Sequence, residues 1–175
     1  MTTTMTAGVL HKIPLRPLTP DAFAPYGQVV ATRRVFGQGV GVHKDPRTDP
    51  EEAQLVLTDG QPRIWIMHTG KVGVRFSKIA RHRRTTQCLG SIDGTDWLVG
   101  VAPPSDLSDS GRPALDDIVG FRVPAGAIIK LHCATWHAGP HHLLDEARFI
   151  NLELMDTNQA DFHAAELGVE CQFDL

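Results

Sequence analysis

The sequence predicts an all-β fold, a sandwich or barrel with a few short helices. Three observations predict it. Short stretches rich in Val, Ile, Phe and Trp recur along the chain, each bounded by turn residues. They are regularly spaced and about seven or eight in number. They do not alternate with helical patterns of the length a βαβ crossover needs.

Residues 1–12 read as a flexible terminus and residues 13–175 as one domain, a length that favours a single core. In "LTPDAFAPYGQVV" Thr19 can cap a short helix, Pro20 suits its first turn, and Phe23 can pack. Pro25-Tyr26-Gly27 ends that helix, and "QVVAT" resumes as a strand. Residues 33–53, rich in Gly, Pro, Asp and His, read as a long surface loop. The expected strands follow: "AQLVLT", "RIWIMHTG", "VGVRFSKIARH", "TQCLGSI", "DWLVGVAPP", "IVGFRVPAG", "AIIKLHCATWHA" and "RFINLELMDT". The Asp-Gly of "DGTD", between Ile92 and Trp97, signals a hairpin. "SDLSDSGRP" is a polar excursion, and the last residues hold a helical turn and a short final strand.

Composition excludes several classes. The net charge is −3 and the basic residues are scattered, which argues against nucleic acid as a partner. The run "RHRRTT" is short enough to be a solvated loop. No apolar run approaches the ~20 residues of a membrane span, so no membrane association is expected. The first residues show no basic stretch followed by an apolar one, so no signal peptide is expected. Three cysteines without a CxxC fit reduced thiols in the cytoplasm. Cys133, beside clustered histidines, is read as a packing residue rather than a nucleophile.

Four of the nine histidines fall within "KLHCATWHAGPHH": His132, His137, His141 and His142. A Pro-x-Gly turn feeds the strand that carries them, which resembles the second cupin motif. "ARHRRTTQCLGSIDGTDWLVGV" resembles the first, with Arg84 and Gln87 where stronger ligands are expected. The fold expected is therefore a cupin-like double-stranded β-helix, a jelly-roll barrel presenting side chains inside its mouth.

Three chemistries compete for these imidazoles. They could ligate a metal, act as acid–base groups, or bond to backbone. His132 and His137 are five apart, so both point inward only if the chain bends through Cys133–Thr135. His141 and His142 follow a turn and read as solvated, as do His43, His68 and His163 at the surface. In "FINLELMDTN" Asn151 and Glu153 share one face, either solvated or, for Glu153, inward as a base or ligand. Gln87 can hold a hydroxyl or amide. Lys130 and Arg63 can hold a substrate carboxylate, although a surface position for Arg63 is also open.

Together "LTPDAFAPYGQVV", "ARHRRTTQCLGSIDGTDWLVGVAPP", "IIKLHCATWHAGP" and "FINLELMDTN" resemble the ureidoglycolate lyase family, nearest its plant-type branch, from about residue 13 to the end. The resemblance implies a homodimer that splits ureidoglycolate into glyoxylate and urea, late in allantoin breakdown. It implies a divalent metal (Ni, Zn or Mn) and no organic cofactor. By position, His82, Gln87, His132, His137 and Glu153 would line the site with Lys130 beside them. In the roles expected, His132 and His137 hold the metal and His82, Glu153 and His137 do the chemistry. Lys130, Gln87 and Arg63 bind substrate. A cupin isomerase or oxygenase, or a non-catalytic carboxylate-binding module, are the alternatives.

Overall fold

Eleven strands form two sheets in the computed structural model, which describes residues 10–37 and 52–175. Strand β1 (Leu10–Pro17) leads to helix α1 (Pro20–Phe23) and β2 (Gly27–Val30). Then come β3 (Pro62–Gly70), β4 (Arg75–Arg81), β5 (Gln87–Ser91), β6 (Trp97–Ala102) and β7 (Val119–Val123). The chain ends with β8 (Ile128–Leu131), β9 (Trp136–His141), β10 (Glu146–Leu154), helix α2 (Thr157–Ala160) and β11 (His163–Asp174). One sheet closes into a six-stranded barrel in the order β1-β11-β4-β9-β6-β7, and the other is five-stranded in the order β2-β8-β5-β10-β3. The all-β barrel with a few short helices expected from the sequence is the fold observed.

The burial pattern explains the layering. All six residues of β6 are buried, because it is covered on both faces. Trp97, Val99 and Val101 join Phe23, Leu89, Phe121, Ile129 and Phe149 in a core between the two sheets. Leu98 and Ala102 join Ile13, Ile79, Trp136 and Phe173 in a second core inside the barrel. The predicted helix cap is present: the Ala22 N–H donates to Thr19 Oγ1 at 3.1 Å. Gly27 is required where β2 meets β8, since a Cβ there would lie 1.9 Å from the Lys130 carbonyl oxygen.

Four local expectations differ from the structure. β1 begins at Leu10, inside the stretch read as a terminus, and its residues pair in parallel with β11 and β7. Its two prolines hid the strand, and they are tolerated in a short ladder. "AQLVLT" runs outside the ladders, tied instead to hydroxyls: the Val56 N–H donates to Thr86 Oγ1 at 3.0 Å. The Asp-Gly turn joins the two sheets rather than a hairpin, because Arg148 on β10 clamps Asp93 with bonds of 2.7 Å (backbone N–H) and 2.9 Å (Nε). The final strand runs twelve residues, with Gly168 at φ +75 inside a register shift. Residues 38–51 of the expected loop, with His43, lie outside the described residues.

Candidate active site

His82 follows β4 and His137 lies on β9, and pairing of Ala80 with His137 brings the two imidazoles together. Their ring centroids are 5.2 Å apart. Both rings line a cavity of about 440 Å³ with Gln87, Leu89, Met67, Lys78 and Phe162.

Backbone carbonyls orient both rings. His82 Nδ1–H donates to the Asp161 carbonyl at 2.9 Å, and His137 Nδ1–H to the Thr135 carbonyl at 3.1 Å. These bonds fix the tautomer of the neutral ring and leave each Nε2 without a partner among the described residues. Asp161 does more than accept this bond. Its carboxylate accepts from the Arg83 and Arg84 N–H groups at 2.9 and 2.8 Å and so fixes the turn that carries His82.

Burial pushes His137 down to about 3, with the nearby His82 charge adding to the effect. A neutral His137 is therefore the form present near pH 7. Its folded-state pKa lies below the unfolded value of ~6.5, so the unfolded chain takes the proton first. Stability supplied by this residue is complete above that value and is lost as pH falls toward 3. Between pH 7 and pH 5 this amounts to about 2 kcal/mol. Urea unfolding at those two pH values should show the loss, and His137→Gln should flatten it.

Glu153 is inward and completely buried, which settles the alternative left by the alternation of β10. Its Oε1 accepts from Arg63 Nη2 at 2.6 Å and Trp65 Nε1 at 3.0 Å, and its Oε2 accepts from Gln87 Nε2 at 2.8 Å. A carboxylate with both oxygens so engaged is poorly placed to take a proton from substrate. It instead fixes the amide of Gln87, whose Oε1 is buried at the cavity wall with no partner. Arg63 is spent on this ion pair rather than held for a substrate carboxylate.

The structure does not bring Lys130 and His132 to this cavity. Alternation along β8 turns Leu131, which faces Gln87 in register, inward, and Lys130, which faces Cys88, to the other side. Lys130 Nζ donates to His132 Nδ1 at 3.0 Å, and His132 Nε2–H donates to the Ala24 carbonyl at 3.3 Å. The predicted bend through Cys133–Thr135 exists, with Ala134 at φ 65, but it sends His132 away from His137. With both nitrogens occupied, His132 has no lone pair for a metal.

His141, His142 and His163 also differ from expectation, whereas His68 is exposed as expected. His141 and His142 are buried, not solvated. His141 Nδ1–H donates to the Gly73 carbonyl at 3.1 Å, and His142 Nε2–H donates to Thr69 Oγ1 at 2.8 Å. His163 accepts from Arg81 Nε at 3.0 Å and packs tilted against Trp136, with ring centroids 5.1 Å apart. That arginine, read as a solvated loop residue, is buried over the Trp136 ring and gathers the Ser105 and Ser108 carbonyls at 2.6 and 2.9 Å. Cys88, Cys133 and Cys171 are free, and burial raises all three thiols, Cys88 to about 11. Raised thiols fit the packing role expected for Cys133.

The donor set does not match a metal centre. Among the described residues no three His, Cys, Asp or Glu side chains converge, whereas an open catalytic site uses three protein ligands. Two imidazoles, His82 and His137, face the cavity together.

The sequence profile described as ureidoglycolate lyase matches residues 10–173. The chain belongs to the ureidoglycolate lyase family. A curated ureidoglycolate lyase of Agrobacterium fabrum (strain C58) is 29% identical over 133 residues, covering 70% of this chain and 72% of that protein. Among solved structures, RmlC from Streptococcus suis in complex with dTDP-D-xylose matches with a TM-score of 0.41 and 12% identity. That match covers 54% of this chain and 44% of RmlC, so nothing beyond general likeness follows from it. No described helix is long and apolar enough to cross a membrane.

Proposed function

We propose that this member of the ureidoglycolate lyase family cleaves ureidoglycolate into glyoxylate and urea, a carbon–nitrogen lyase step of allantoin breakdown. The observation that carries the reading is the imidazole pair of His82 and His137 beside the fixed amide of Gln87, in one cavity. The family assignment gives no support to an isomerase, an oxygenase or a mere binding module.

The substrate is a carbinol bearing a carboxylate and a ureido group. His82 Nε2 accepts the hydroxyl hydrogen bond and takes that proton as the carbonyl forms. The C–N bonding pair goes to the urea nitrogen, which receives the proton back from the His82 imidazolium. No water is consumed and the atoms balance. His137, kept neutral by burial, accepts a second hydrogen bond and holds the substrate against His82. Gln87 Oε1 accepts from a ureido N–H. Glu153 is a positioning residue for Gln87. Lys78 is the one Lys or Arg among the described lining residues, and it takes the carboxylate anchoring expected of Lys130. Its ammonium reaches Glu166 at 2.7 Å on the exposed rim, a partner a substrate carboxylate can displace. No step is assigned to a metal, since two imidazoles fall short of a ligand set. Purified protein should release urea and glyoxylate in equal amounts from ureidoglycolate; oxygen uptake or no turnover would remove the reading.

A homodimer is part of the proposal. β3 is an edge strand whose Ile64 and Ile66 are 63% and 49% exposed, an apolar edge that a second copy would cover. Sedimentation should give a dimer, and Ile64→Glu with Ile66→Glu should give a folded monomer. The free thiols suit the reducing cytoplasm proposed as its compartment.

A further inference from the structure

Among the exposed residues that line the cavity, two carry polar side chains: Lys78 and Asn158. His82 and His137 line the same cavity and are buried. The mouth is thus polar at Lys78 and Asn158, and the imidazoles lie behind it. The proposed chemistry gives a task to every one of these side chains except Asn158.

The segment that carries Asn158 is tied at both ends. Thr157 Oγ1 donates to the Leu154 carbonyl at 2.8 Å and accepts from the Leu154 N–H at 3.1 Å. At the other end the Asp161 carboxylate holds the Arg83 and Arg84 N–H groups. The amide is tied as well, since Asn158 Nδ2 donates to Glu153 Oε1 in a long bond of 3.4 Å. An ionised carboxylate only accepts, so the nitrogen is the arm of the amide that turns to it. Oδ1, the other arm, accepts from nothing among the described residues. An exposed asparagine is ordinarily satisfied by water. This one is held in place and in orientation beforehand, so a ligand that bonds to it costs little side-chain freedom.

We infer that Asn158 is a specificity residue whose Oδ1 accepts a hydrogen bond from the terminal amino group of the ureido substrate. The inference rests on the reading that this cavity takes the ureido acid. In ureidoglycolate the carboxylate and the terminal amino group are the two ends, and the carbinol lies between them. Lys78 holds the first end at the mouth and Asn158 the second, so the hydroxyl is directed inward to His82 and His137. An acceptor in this place favours an N–H donor. A methyl group or a second carboxylate at that end of the ligand finds no partner there.

The test compares the parent with Asn158→Ala, and with Asn158→Leu as a second variant that keeps volume. The probes are N-carbamoylglycine, a ureido acid with no carbinol to cleave, and N-acetylglycine, in which a methyl group replaces the terminal amino group. Calorimetric titration of the parent should show N-carbamoylglycine bound more tightly than N-acetylglycine. In both variants N-carbamoylglycine should weaken about three- to tenfold, with N-acetylglycine within about twofold of the parent. The unfolding midpoint should stay near that of the parent, because the side chain is exposed. Equal weakening of the two ligands, the result of a purely structural role through Glu153, would overturn the inference. So would a parent that binds both equally or binds neither. Turnover separates the inference from the reading beneath it. A parent that prefers N-carbamoylglycine through Asn158 but releases no urea from ureidoglycolate supports the inference and removes the lyase reading. A parent that turns over, with Asn158→Ala unchanged in kcat/KM, overturns the inference and leaves the lyase.

Discussion

Replacing His82 with glutamine should lower kcat for ureidoglycolate cleavage by roughly 10²–10⁴-fold, with a much smaller change in KM. Glutamine fills similar space and can keep a bond to the Asp161 carbonyl, so circular dichroism and the unfolding midpoint should stay near those of the parent. What disappears is the nitrogen that accepts and returns the proton. Two features concentrate the effect on this residue. Glu153, the other titratable group expected to do this work, has both oxygens taken by Arg63, Trp65 and Gln87. His137 is held down to about 3 and is a weak base at neutral pH. A His82→Gln variant that cleaves at the parental rate would move the base elsewhere.

Replacing Glu153 with alanine should cost about 3–5 kcal/mol of stability, the largest loss among the variants considered. The carboxylate is fully buried, and its removal strands four donors at once: Arg63 Nη2, Trp65 Nε1, Gln87 Nε2 and, at 3.4 Å, Asn158 Nδ2. Arg63 is itself only partly exposed, so water can satisfy it in part, which keeps the expected loss below that of a wholly sealed pair. Urea unfolding at neutral pH measures the loss directly. Arg63→Ala with Glu153→Leu, removing the charges together, should recover a large part of it, because no uncompensated charge then remains. A Glu153→Ala variant within about 1 kcal/mol of the parent would show that the network is not structural.

Much of the fold was legible because strand signals are local. Turn residues and apolar runs placed β3 to β7 within a few residues, and the Pro-x-Gly turn before β8 is present with Gly126 at φ +83. What failed was non-local. β1 is a strand only because β11 and β7 receive it, and Asp-Gly joins two sheets because Arg148 pulls Asp93 toward β10. The site followed the same division. His82, His137 and Gln87, brought together in the sequence only by the family resemblance, line one cavity. Lys130 went to the other face because β8 keeps strict alternation, and the expected bend after His132 turns that residue toward Lys130 and Ala24 rather than toward His137. Asn151 was placed on the correct face beside Glu153, but a polar residue alternating with Ile and Leu looks the same whether that face is wet or sealed. Asp161 gave no signal, since its role depends on a turn contributed by residues 82–84.

The parallel pairing of Leu10 with Glu170 has a consequence for synthesis on the ribosome. The barrel cannot shut until its last strand has left the exit tunnel, and contacts so distant along the chain form slowly. Asp161, which sets the orientation of His82, emerges in the same late interval. A truncated product ending before it would carry both imidazoles and still lack an oriented pair.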